Sequence, residues 1–152
     1  MTFNTFDITP LRSRYYQAVT IAVLALLTAV IFKIKGVYLY AFFPAAALRS
    51  MIIFWCALGA QWLYSFYDRS KIKKLEAIDS FEEKAGMYQS VYRHRLIQRI
   101  ISSLLIAVLF SLTANKFFFW FLVYDTVITL SSFPNKTYIR KLLKDDDIIF
   151  TG

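Results

Sequence analysis

Long apolar runs separated by short basic segments decide what this chain can fold into. The first run covers residues 16–34 and holds one charge, Lys33, near its end. A helix crossing a bilayer core of roughly 30 Å needs about 20 apolar residues, and this run has that length. A soluble domain with an outsized core is the competing reading. It fails because the hydrophobic fraction is 58% over 152 residues. A chain this short keeps a large surface and has too little polar sequence to cover it.

Further runs predict three more spans. Residues 37–67 are too long for one straight crossing, and Pro44 divides them. The segment before Pro44, with Tyr38 and Tyr40, suits an outer interface. The second span is then 44–67, closed by Trp62, Tyr64 and Tyr67 as an inner aromatic belt. The third span is 96–113 and the fourth 117–133, joined by a tight turn at Asn115 and Lys116 and stopped by Pro134. The expected fold is an all-α, integral membrane four-helix bundle in one domain.

Local signals mark the helix starts. Thr9 and Pro10 read as an N-cap and a first helical residue. Ser80 to Glu83 reads S-x-x-E, a capping box. A helix from Phe81 runs unbroken into the third span, so the loop 68–95 is expected to form a helical hairpin turning at Asp79 and Ser80. The tail 135–152 carries a short basic amphipathic piece, with Tyr138, Ile139, Leu142 and Leu143 against Arg140, Lys141 and Lys144. Its end, Ile148, Ile149 and Phe150, is expected to dock on a partner or on the bundle. The first run is long for a signal-peptide core and no A-x-A site follows it, so it reads as a retained helix.

Charge sets the orientation. Two basic residues precede the first span, eight lie between 68 and 99, and four lie in the tail. The opposite side has only Lys33, Lys35 and Lys116. The basic side is cytoplasmic by the positive-inside rule, which puts both termini and the hairpin inside. The net charge of +8 would suggest nucleic acid in a soluble protein. Here the charge is confined to loops, so membrane lipids are the expected partner and nucleic acid is not. Small size and compact loops point to a bacterial cytoplasmic (inner) membrane.

Small residues define packing faces. Ala18, Ala22, Ala25 and Ala29 share one side of the first span, and Ser103, Ala107, Ser111 and Ala114 one side of the third. Ser50, Ala57 and Ala60 offer a third such face. Cys56, the single cysteine, is expected to pack as a small hydrophobe.

Two charges fall inside the spans, Arg49 and Asp125. Such residues are costly in a membrane and are functional candidates. Arg49 lies about five residues in from the outer end and Asp125 about eight, roughly 8 and 12 Å, a gap that a long arginine can bridge. Thr129 and Ser132 share the Asp125 face. The set reads as an intramembrane charge pair, as Arg49 snorkelling to outer headgroups, or as a proton- or ion-coupled site on Asp125. Arg93, His94, Arg95 and Arg99 at the inner boundary, with Arg140, Lys141 and Lys144 in the tail, are candidates for contact with anionic lipid or a partner.

No catalytic residue and no cofactor is expected. There are four glycines, no phosphate-cradling loop, no H-E-x-x-H and no C-x-x-C. The single histidine has no second His or Cys to share a metal with, and the tail aspartates 145–147 read as a solvated acidic end. The function expected is a non-enzymatic membrane subunit. It assembles with itself or with another membrane protein through its helix faces and basic hairpin. The alternative is a small oligomeric channel or ion- or proton-coupled transporter using Arg49 and Asp125, and a lipid-modifying enzyme is the third reading.

Overall fold

The computed structural model describes residues 4–38, 46–75, 77–145 and 147–151. Its elements follow the order β1 (Thr5–Asp7), α1 (Thr9–Lys35), α2 (Ala46–Leu75), α3 (Phe81–Thr113), α4 (Lys116–Ser131), α5 (Lys136–Leu143) and β2 (Ile149–Thr151). The expected helix start at Pro44 and the interfacial Tyr40 lie outside the described residues.

Helix ends show the local chemistry at work. α1 has Pro in its first turn, where the missing N–H has no intrahelical partner to lose. Ile8, not Thr9, stands at its N-cap and makes no side-chain capping bond, and Asp7 precedes it. The Asp7 carboxylate accepts from Thr9 Oγ1 at 2.6 Å and from the Thr9 amide at 2.9 Å. These two bonds hold the Asp7 carboxyl below its usual range. Gly36, at φ 63°, closes α1 in the left-handed region that suits glycine. Ser80 does sit at the N-cap of α3, but its hydroxyl makes no capping bond. The expected box is therefore open, and Ser80 contributes its carbonyl, which accepts from the Lys84 amide at 3.1 Å. Ala114 in the left-handed region and Asn115, whose side chain accepts from the Phe117 amide, make the tight turn into α4.

α2 continues without a break to Leu75, and α3 begins at Phe81. The hairpin is thus the prolonged ends of two long helices. α3 has 33 residues, about 50 Å at 1.5 Å per residue. It is the centre of the bundle: α1, α2 and α4 all pack on it, and α1 also packs on α4. Among the described residues, α1 and α3 are long and apolar enough to cross a membrane. A third span is added if α4 and α5, bent by 69°, count as one.

Two cores stack along α3. The core at the end holding both termini gathers Phe6, Ile8, Leu75, Tyr88, Leu143 and Ile148. The other holds Ala29, Phe54, Ile106, Phe110, Phe118 and Leu122. The alanine face of α1 is used as its spacing suggests, with Ala18, Ala22, Ala25 and Ala29 all buried. Cys56 departs from expectation. It is exposed, because α2 turns only one face to α3.

The fold is not purely helical. β1 and β2 pair in parallel, with Phe6 opposite Phe150. Strands of three residues leave too short an alternation to read from sequence. The C-terminal tip docks on the bundle through this pairing, with Ile148 buried. Asp145 is also not merely solvated: it accepts from Asn4 Nδ2 at 2.8 Å and from the Asp147 amide at 3.0 Å. Because Phe6 is fully buried between Tyr88 and Phe150, Phe6→Ala is expected to destabilise by about 3–5 kcal/mol. Thermal unfolding in detergent and protease sensitivity of the tail measure it. An unchanged midpoint would show that the paired ends are not part of the cooperative core.

Candidate functional site

Among the described residues, two acids are buried in the bundle, and both are met by arginines of α3. Arg95 Nε lies 3.2 Å from Asp68 Oδ2 on α2, and Arg99 Nη1 lies 3.1 Å from Asp125 Oδ1 on α4. Arg95 and Arg99 are four residues apart and so share a face of α3. Ser103, one turn further, donates to Asp125 Oδ2 at 2.6 Å. The side chains of Asp68 and Asp125 are 3% and 2% exposed, against 43% and 36% for Arg95 and Arg99. The acids are sealed, while the arginine side chains remain partly exposed.

The expected meeting of Arg49 and Asp125 does not occur. Arg49 is exposed in the first turn of α2. Depth from the outer end does not single out a partner, because α4 has only 16 residues. Counted from its other end, Asp125 is about six residues in, roughly 9 Å, within reach of Arg99. Thr129 and Ser132 direct their hydroxyls to main-chain carbonyls and not to the carboxylate. Thr129 Oγ1 donates to the Asp125 main-chain carbonyl, and Ser132 Oγ to that of Ile128, each at 2.8 Å. Both hydroxyls are satisfied within their own helix.

The basic candidates separate into groups. Arg95 and Arg99 are the ion-pair partners just described. Arg93 is exposed, and His94 is half-buried with its ring 6.4 Å from that of Tyr64. Arg140 braces the tail: its Nη2 donates to the Ile148 carbonyl at 3.3 Å, and its guanidinium lies over the Phe150 ring. Lys141 and Lys144 are exposed. Among the described residues, no group of three His, Cys, Asp or Glu side chains converges as a metal site.

Sequence reasoning missed Asp68, Arg69, Tyr15 and Tyr92. Asp68 sits where an apolar run gives way to basic residues, a place that reads as solvated. The tyrosines solve a problem at the end of α4, whose last carbonyls have no intrahelical donor. Tyr15 donates to the Leu130 carbonyl and Tyr92 to that of Ser132, both at 2.7 Å. Burial pushes the Tyr92 hydroxyl well above its usual pKa, and that of Tyr88 up to about 12. Both remain proton donors at neutral pH.

Beside the ion pairs lies a cavity of about 850 Å³ between α2, α3 and the link from α4 to α5. Arg69, Arg95 and Arg99 line it with Gln61, Gln98 and Tyr138. Fold and site together define a mostly helical protein with two membrane-length helices and a pair of interhelical charge clamps. Comparison with protein-family models, curated proteins and solved structures finds no match.

Arg99→Met is expected to strand the Asp125 carboxylate and cost about 3–5 kcal/mol. The double variant Arg99→Met with Asp125→Leu should recover most of that loss. Denaturant unfolding in detergent reads both. Equal losses in the single and double variants would show that the pairing is not the source of the effect.

Proposed function

We propose that this chain is a multi-pass membrane protein with four spans and both termini in the cytoplasm. It works as a non-enzymatic subunit, assembling with a second copy or with another membrane protein in a bacterial inner membrane. The feature that carries the reading is the outer face of α2. Leu48, Ile52, Trp55, Trp62 and Phe66 recur at spacings of three, four and seven and are all exposed. Gly59 falls in the same stripe. A heptad stripe with one glycine is the pattern of a seam against another helix. α2 packs extensively on α3 alone, so among the described residues this face has no occupant.

The buried acids support the same reading. Asp68 and Asp125 each engage an arginine from a neighbouring helix, which is how charges inside a bundle hold helices in register. The exposed Arg93, Lys141 and Lys144 lie at the end holding both termini and suit contact with anionic headgroups or an acidic partner. The channel or transporter reading draws on Arg49, Asp125, Thr129 and Ser132; here Asp125 engages Arg99, and Thr129 and Ser132 bond within their own helix.

Gly59 provides the test. A Cβ added there meets nothing within 4 Å, so Gly59→Leu disturbs the seam and not the monomer. Native mass spectrometry of protein gently extracted from its own membrane should show a stoichiometric complex that Gly59→Leu disrupts. A monomer in the unaltered protein, or a complex indifferent to Gly59→Leu, would overturn assembly through this face.

A further inference from the structure

We propose that the crevice between α2 and α4 is a binding site for a phosphate-bearing amphiphile, a phospholipid whose headgroup meets Arg69, Arg95 and Arg99. The inference rests on the membrane reading and adds a specific ligand class to it.

The shape comes first. At one end α2 and α4 are joined by aromatic contacts: Phe54 meets Phe117, Phe118 and Phe121, with ring centroids 4.9–5.4 Å apart. Toward the end holding both termini the two helices separate, with α3 as the floor between them. Two cavities occupy the gap. The polar one, about 850 Å³, is continuous in lining with an apolar one of about 290 Å³, since Leu58, Gln61 and Gln98 belong to both. Both volumes are of the order found for ligand pockets, roughly 300–1,000 Å³.

Polarity changes along the crevice in one direction. On α3, the polar part is lined from Tyr88 to Arg99 and the apolar part from Gln98 to Ile106. On α2 the change runs the same way, from Arg69 in the polar part to Phe54 in the apolar part. The site is therefore amphipathic along its length, with its head at the level of the aromatic rim. Trp62, Tyr67 and Phe133 are exposed there, as befits a membrane–water boundary.

The charges select an anion. Two carboxylates, Asp68 and Asp125, stand against three guanidiniums, and Arg69 has no carboxylate partner among the described residues. Arg95 and Arg99 each bond their acid through one N–H. A guanidinium has five, so the others stay available on side chains that are 43% and 36% exposed. Planar donor forks of this kind match phosphate oxygens. The amides of Gln61 and Gln98, at the junction of the two parts, suit the ester oxygens between headgroup and chains.

The test uses full-length protein washed free of lipid in detergent, after its membranes have been extracted with alkaline carbonate. Native mass spectrometry then counts adducts of added phosphatidylglycerol, phosphatidylcholine or inorganic phosphate. Phosphatidylglycerol should bind in preference to phosphatidylcholine. Arg69→Gln, which breaks neither ion pair, should weaken it about tenfold, the value of one charge-assisted hydrogen bond. Ala57→Phe, which fills the apolar part, should weaken it as well, and Lys141→Gln, outside the crevice, should not. Equal retention of both lipids by all variants would overturn the proposal. So would binding of inorganic phosphate alone with no effect of Ala57→Phe, because the ligand would then have no tail. Release of the protein by carbonate would instead remove the membrane reading itself.

Discussion

Two arginines on one face of α3 organise this molecule. Arg95 and Arg99 are one helical turn apart, yet they engage acids on different helices, Asp68 of α2 and Asp125 of α4. An unpaired carboxylate in so buried a position is expensive. Sliding or rotating either α2 or α4 against α3 would expose that cost. Hydrophobic contacts tolerate small shifts in register, and charge pairs do not. A buried ion pair adds little net stability over a well-packed apolar pair, so its value here lies in selecting one arrangement of helices.

The same clamps explain the uneven shape of the bundle. At the Phe54 end, aromatic rings draw α2 and α4 together. At the other end each is held to α3 by its own arginine, and the space between them stays open as the cavity. Tyr15 and Tyr92 finish this end by donating to the last carbonyls of α4. Beyond them the chain's two ends meet in the short parallel sheet, and α5 covers the core with Ile139 and Leu143. Polar pairing thus governs the end with the termini, while ring packing governs the other.

Much of the helical framework was legible because its signals are periodic or local. The alanine face of α1, the unbroken α3, the turn at Asn115 and the amphipathic α5 each follow from spacing or from a capping residue. What could not be read depends on contacts distant in sequence. Thr9 is already the first residue of α1, with Ile8 at the N-cap and Asp7 accepting from the Thr9 amide, a shift that propensity does not resolve. β1 and β2 are three residues each and gain their meaning only from one another. Asp125 was visible as a charge in an apolar run, but its partner was misassigned. Depth counted from one end of α4 favours Arg49, whereas Arg99, which reads as a boundary anchor, bonds the Asp125 carboxylate. Asp68 gave no sign at all, since an acid beside basic residues resembles ordinary surface.

The central claim is that α3 crosses a membrane with its arginines at the inner boundary, the termini on that side and the turn from α3 to α4 on the other. Thiol labelling in sealed vesicles tests it most directly. On a Cys56→Ser background, Lys116→Cys marks the turn and Asp147→Cys the tail, both at exposed positions. The account predicts that a membrane-impermeant reagent labels Lys116→Cys from the outer face only and Asp147→Cys from the cytoplasmic face only. Labelling of both from the same face would contradict it.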